Sequence, residues 1–165
     1  MERHDFSKNI FDGKEIKKGL LTRILDRIMA TKLNSNNRFW VYSCVETFLR
    51  GSNFKNQMFV VFSGVLYKLI NDVLKINEIL NSTSAQITYD FLGEVMKYNI
   101  IGVLGLDIIC RKRKILKSVL ENIGSKVVDS NVFFRGLFLS FEYFKVIPIV
   151  EEGSVRNGED ILYEI

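Results

Sequence analysis

The sequence predicts an all-α protein of about six to eight helices, on three observations. Proline occurs once in 165 residues, at Pro148, so little interrupts a regular helix. Apolar residues recur three and four positions apart in one segment after another, the period of a helix with one buried face. One of those segments also recurs, imperfectly, 47 residues later and 47 residues after that.

The first stripe is Ile16, Leu20, Leu21, Ile24, Leu25, Ile28 and Met29. Next comes NRFWVYSCVETFLRG, Asn37 to Gly51. Val41, Cys44, Val45 and Phe48 share one helical face there, widened by Trp40 and Leu49, and Arg38, Ser43, Glu46, Thr47 and Arg50 take most of the other. Phe39, Trp40 and Phe48 are expected in the core, as large aromatics usually are. Asn36 or Asn37 suits the N-cap, and Gly51 suits a left-handed residue after the last turn.

Met58 to Leu74 reads as one long, central helix that is apolar on every side. The polar NSTSAQ then breaks the pattern. Ile87, Phe91, Leu92, Val95 and Met96 mark a helix from Ile87 to Tyr98. Ile100 to Cys110 reads as a short helix, weakened by Gly102 and Gly105. Ile115 to Val128 is amphipathic. Asp129 or Ser130 can cap a last helix, Asn131 to Phe144. The expected organisation is a flexible N-terminus (1–14), a helical domain (15–146) and a polar, acidic tail (147–165).

The 47-residue shift carries Cys44, Val45, Phe48 and Leu49 onto Phe91, Leu92, Val95 and Met96. A second shift carries Cys44, Val45 and Leu49 onto Phe138, Leu139 and Tyr143, with Glu142 as the exception. Periods of about 40 to 47 residues, each holding two or three helices, belong to HEAT and armadillo arrays. The expected architecture is therefore an armadillo-like α-solenoid, in which each unit buries its apolar face on its neighbours. The last helix, with Phe133, Phe134, Leu137, Phe138, Phe141 and Phe144, has the apolar outer face of a unit that another repeat covers, and so predicts self-association.

Composition bounds the function. Of the residues, 47% are hydrophobic and 25% charged, as in a folded soluble protein. The net charge of +4 is too small to imply nucleic acid unless it is clustered. It is unevenly spread: Arg111 to Lys126 holds six basic residues and one acid, and the stretch from Glu151 onward holds five acids and one base. The charged start MERHDFSKN is not a signal peptide, and the longest apolar run, Ile100 to Cys110, falls short of the roughly 20 residues a membrane span needs. An intracellular, cytoplasmic protein is expected. Cys44 and Cys110, both set among apolar residues, read as buried free thiols.

Catalytic signals are weak. His4 is the only histidine and sits in the charged terminus, so nucleophilic triads lack a positioned base. Neither GxxxxGK[ST] nor GxGxxG occurs, and zinc sites need more Cys or His than the chain has. Asp26 with Glu46, or Asp90 with Glu94, could be paired on paper, but Asp90 and Glu94 stand one helical turn apart, as ordinary surface acids do. No enzyme, cofactor or metal is expected, and a hydrolase or transferase is the weakest reading. One charged cluster stands out: Arg111, Lys112, Arg113 and Lys114, with Lys117 one turn on. These are the candidate interaction residues, suited to phosphates, acidic peptides or a terminal carboxylate; the alternative is a solvated connector between helices. No aromatics interleave with them, which argues against single-stranded nucleic acid.

Four ordered blocks carry a resemblance: RFWVYSCVETFLRG at Arg38–Gly51, NQMFVVFSGVLYKLI at Asn56–Ile70, YDFLGEVMKYN at Tyr89–Asn99 and VVDSNVFFRGLFLSFEYF at Val127–Phe144. Together they resemble the transient receptor potential channel four-associated protein family, from about Ile24 to about Phe144. The resemblance implies an armadillo-like fold and a non-enzymatic role: a substrate receptor of a cullin-four RING ubiquitin ligase. Such a receptor binds the damaged-DNA-binding adaptor and recruits proteins with particular C-terminal tails for ubiquitination. It also implies links to tumour necrosis factor receptor signalling and to a TRP calcium channel, with placement in the cytoplasm, near the nucleus or at inner membrane faces through partners.

Overall fold

The computed structural model describes residues 10–11, 14–15, 19–79, 82–127, 129–146, 148–151 and 154–157. Among them are eight helices: α1 (Leu20–Ala30), α2 (Arg38–Leu49), α3 (Phe54–Phe62), α4 (Val65–Ile79), α5 (Ser82–Met96), α6 (Ile100–Arg113), α7 (Leu116–Lys126) and α8 (Asn131–Val146). Two short antiparallel ladders flank them. β1 (Ile10–Phe11) pairs with β2 (Lys14–Glu15), and β3 (Pro148–Glu151) pairs with β4 (Ser154–Asn157). His4, the side chains of Tyr143 and Phe144, and residues 158–165 lie outside the described residues.

The helices stack with a period of three. α1 packs on α4 and α4 on α7; α2 packs on α5 and α5 on α8; α3 packs on α6. Each helix thus meets the helix three places further on, and neighbours in sequence close the layers between these rows. This is the all-helical, solenoid-like packing that the sequence predicts. The core runs along the middle of the stack through Leu25, Ile28, Val45, Leu49, Leu69, Ile70, Phe91, Leu92, Val95 and Val103.

Local chemistry explains several boundaries. The Asn53 side chain accepts from Asn56 N and caps α3, and Asn99 does the same for α6 through Gly102 N. Before α8, Asp129 Oδ1 accepts from Asn131 N, a two-residue side-chain turn rather than the N2 or N3 contact of a cap. Gly51 adopts φ +82° after α2, the left-handed conformation expected of it. Neither expected asparagine caps α2 through its side chain; Asn37 N instead donates to Ser35 Oγ at 3.3 Å.

The expected single helix from Met58 to Leu74 is two. α3 and α4 are bent by 72° at Ser63–Gly64, where Gly64 takes φ +81° and Ser63 Oγ donates to Val60 O. The apolar run conceals this break, because glycine at positive φ costs nothing sterically and leaves no polar signal. Gly102 and Gly105 do not break α6, which runs on through Arg113. Among the described residues, no single helix is long and apolar enough to cross a membrane.

Candidate protein-interaction surfaces

The row α2–α5–α8 positions the surfaces of interest, and it differs from expectation at its first helix. The inward stripe of α2 is Arg38, Tyr42, Val45, Glu46 and Leu49, at the helical spacing i, i+4, i+7, i+8 and i+11. The predicted stripe through Val41, Cys44 and Phe48 lies to one side of it. Trp40 is therefore 68% exposed, Phe48 is exposed and Phe39 half-buried, and Cys44 is an exposed thiol, whereas Cys110 is buried. Arg38 and Glu46, expected outside, are inside.

Arg38 turns inward onto partners at both terminal nitrogens, while its buried Nε makes no hydrogen bond. Its Nη1 donates to Asp72 Oδ2 at 2.6 Å and to Tyr42 Oη at 2.7 Å, and its Nη2 donates to Thr88 Oγ1 at 2.8 Å. Tyr42 Oη donates to the same Asp72 oxygen at 2.6 Å, and Lys68 Nζ stands 3.2 Å from it. The guanidinium also lies over the Tyr42 ring, 4.1 Å from its centre. Burial holds the Tyr42 hydroxyl protonated far above its ordinary range, partly offset by the Arg38 charge. The network ties α2, α4 and α5 together. A buried ion pair is a costly element for which an apolar replacement is often as stable, so its direct effect is to fix the register of three helices.

α5 meets α8 differently. A Cβ on Gly136 would run into the backbone carbonyl of Gly93, and one on Gly93 into the Val132 carbonyl. Only glycine lets the two helices approach this closely. Tyr89 and Phe133 pack edge to face beside the crossing, with ring centres 5.5 Å apart. Gln86 closes the end of the joint: its Oε1 accepts from Asp129 N at 2.9 Å and its Nε2 donates to Asp129 O at 2.5 Å.

Between α2 and α5 a surface groove of about 360 Å³ is lined by Phe39, Glu46, Arg50, Gln86, Ile87 and Asp90, among others. That volume lies at the small end of ligand-sized clefts, roughly 300 to 1,000 Å³. Arg50 Nε donates to Glu46 Oε1 at 2.8 Å, and Gln86 Nε2 to Asp90 Oδ1 at 2.9 Å. Burial raises the proton affinity of Asp90, with Gln86 acting against it and the Glu46 charge adding to it. Glu94, one turn on, is buried and likewise raised, first by burial, while Lys97 acts against it. The two are therefore not ordinary surface acids. The groove can accept donors such as amides or a lysine at Glu46 and Asp90, beside an apolar wall of Phe39 and Ile87. The signals for it in the sequence are the i, i+4 pairs Glu46–Arg50 and Gln86–Asp90.

The basic candidates are brought to one end of α6 but do not act alike. Arg113 turns back onto α4, donating to Asn71 Oδ1 at 2.5 Å, with its guanidinium 5.2 Å from the Tyr67 ring centre. Arg111 is paired with Asp107 at 2.8 Å, and Lys117 with Glu121 at 3.6 Å. Lys112 and Lys114 are exposed, and Lys114 takes the left-handed conformation at the C-cap of α6. Among the described residues, no group of three or more His, Cys, Asp or Glu is placed to hold a metal ion.

The described residues form an all-helical, solenoid-like stack with a shallow groove and several exposed aromatic side chains. A family model described as "Protein of unknown function (DUF3689)" matches residues 5–160, and the chain belongs to that family. The match reaches further at both ends than the four sequence blocks do. The short transient receptor potential channel 4-associated proteins of Homo sapiens and Mus musculus are each 33% identical to this chain over 141 residues. The alignment covers 82% of the chain and 17% of each relative, so the chain spans about a sixth of their length. No solved structure matches the chain.

Proposed function

We propose that this chain is a non-enzymatic protein-interaction module, and that it serves a substrate receptor of a cullin-four RING ubiquitin ligase. The observation that carries the interaction role is the α2–α5 groove, built on a row of packed helices. Preformed surfaces of this kind bind without a large ordering cost. The family resemblance supports the ligase assignment, under which the damaged-DNA-binding adaptor and degradation substrates are the partners. Substrate tails ending in a carboxylate would meet Lys112 and Lys114 at the end of α6, and tails carrying a basic residue would meet Glu46 and Asp90. Its place of action in this reading is the cytoplasm.

The relatives' name, channel-associated, favours a second reading: a helical scaffold in TRP-channel signalling, to which the family resemblance adds tumour necrosis factor receptor signalling, with no ligase role. Titrating the purified chain with purified adaptor, and separately with the channel's cytosolic segments, separates the two. Adaptor binding supports the receptor. Binding to the channel alone supports the scaffold. Binding to neither overturns both for this segment.

A further inference from the structure

α3 and α6 are equivalent helices of the stack, and their equivalence separates a side face from an end face. Each is capped by an asparagine, and Asn99 stands 46 positions after Asn53. The same shift carries the buried Gln57 and Val60 onto the buried Val103 and Leu106. It carries the half-buried Met58 onto the half-buried Leu104, and Phe62 onto Ile108. Phe62 and Ile108 are each 62% exposed. Phe62 is exposed although α6 already packs on the far side of α3, and Ile108 although α3 packs on the near side of α6. Adding a unit at either end of the stack therefore does not cover this position. On α6, Ile101, Leu104 and Ile108 point away from the buried Val103, Leu106 and Cys110, so the face is a flank of the stack.

The 72° bend at Ser63–Gly64 turns the end of this flank into a corner, with Phe62 on one side and the exposed Tyr67 on the other. Arg113, folded onto Tyr67 and Asn71, brings the basic end of α6 to the same corner. The charge around it has one sign. The sequence has no acidic residue from Asn53 to Asn71, and between Glu94 and Glu121 only Asp107, which is paired with Arg111. Lys55, Lys112 and Lys114 are exposed.

Single exposed apolar residues are unremarkable. Here aromatic and aliphatic tips project from a corner whose rim is cationic, the arrangement by which a protein lies on an anionic membrane: apolar tips enter the acyl boundary and lysines reach the headgroups. A peptide partner ordinarily seats in a groove instead. α3 and Val65–Lys75 of α4 together have the length and apolar composition of a membrane span. They lie along a bilayer and do not cross it, because Val65, Leu66, Leu69, Ile70 and Val73 are committed to the core. We propose that this flank, at Phe62, Tyr67 and Ile108 with Lys112 and Lys114 beside them, docks on an anionic lipid bilayer. The inference goes beyond the functional reading above and does not rest on it.

The test is vesicle flotation of the purified full chain, with circular dichroism to confirm folding. One set of vesicles is phosphatidylcholine alone, and the other contains about one-fifth phosphatidylserine. The chain should float with the anionic vesicles, far less with the neutral ones, and less as salt is raised. Lys112→Gln combined with Lys114→Gln should weaken anionic binding roughly thirtyfold. Phe62→Ala and Ile108→Ala should each weaken it about tenfold, through lost apolar insertion. All four side chains are exposed or at the helix end, so the fold should be unaffected. Trp40→Ala, which removes an exposed aromatic on α2, should leave binding unchanged. A chain that ignores the anionic vesicles overturns the inference. If it instead captures poly-glutamate, and Phe62→Ala weakens that capture, the face belongs to an acidic protein segment. If it self-associates and Phe62→Ala abolishes this, the face belongs to a second copy. Vesicle binding that survives Phe62→Ala and Ile108→Ala, or falls equally in Trp40→Ala, also overturns the assignment.

Discussion

The two joints of one helical row are built from opposite chemistry. α2 is held to α5 and α4 by a buried ion pair and its hydrogen bonds, with Arg38, Tyr42, Asp72 and Thr88 each placed by the others. α5 is held to α8 by the absence of side chains, glycine facing glycine. The first joint is directional: it specifies which helix meets which and in what register, at a desolvation cost. The second is steric: it tolerates nothing added. Similar spacing in the sequence therefore conceals different vulnerabilities, charge removal at one joint and volume addition at the other.

The largest effect is expected at the polar joint. Asp72→Ala leaves the Arg38 guanidinium buried with its main partner gone, and should cost about 3–5 kcal/mol in urea unfolding. Adding Arg38→Met to Asp72→Leu should recover most of that loss, because the desolvation cost goes with the pair. If the double variant is as damaged as Asp72→Ala, the network contributes more than register.

The glycine joint comes next. Gly136→Ala should destabilise by about 2–3 kcal/mol, because the obstacle is backbone and cannot rotate away. The better helix propensity of alanine, about 1 kcal/mol, offsets only part of this. Far-ultraviolet dichroism alongside the melt would show whether α8 stays helical while undocked. Unchanged stability would mean that the two helices do not cross at these residues.

A paired comparison on α2 sharpens the assignment of its faces. Val45→Ala, on the inward stripe, should cost about 2 kcal/mol, and Trp40→Ser should fall within about 0.5 kcal/mol of wild type. The predicted stripe would require the reverse order at Trp40, a large loss.

The smallest effect concerns pH. Glu94 is buried, and its Oε2 makes no hydrogen bond. Burial raises its folded proton affinity above that of the unfolded chain. The folded state then binds more protons than the unfolded state, so this group's contribution worsens as pH rises through the carboxylate range and is most favourable below it. Glu94→Gln should therefore raise the urea midpoint at pH 7 and have no stabilising effect near about pH 4, close to the ordinary glutamate value. A variant that loses stability at pH 7 would show that the carboxylate is favourably paired.

Much of the fold was legible because helix period and chain breaks are local. The stripe of α5 and the rough 47-residue recurrence follow from spacing alone, and they place α2, α5 and α8 in one row, although the second shift sets the buried Phe91 against the exposed Phe138. The inward side of α2 was not legible. Trp40, Val41, Cys44 and Phe48 are as apolar as Tyr42, Val45 and Leu49, so hydrophobicity does not choose between them. What chooses is Asp72, 34 residues away, which makes an inward Arg38 affordable. The Ser63–Gly64 break was hidden in an apolar run. Gly93 and Gly136 were visible as small residues within helical stripes, but only the crossing gives them meaning. The groove shows in sequence as two i, i+4 pairs, and nothing local reveals that they face one another. Of the basic cluster, the sequence could not show that Arg113 folds back onto Tyr67 while Lys112 and Lys114 remain free to meet solvent.

The most direct test of the central claim, that α2 turns Arg38 and Tyr42 inward and Trp40 outward, is the fluorescence of Trp40 in dilute, monomeric protein. Emission at the water-exposed end of the tryptophan range and efficient quenching by iodide are expected. Blue-shifted emission protected from iodide in the dilute monomer would put Trp40 in the core and contradict both the rotation of α2 and the polar joint.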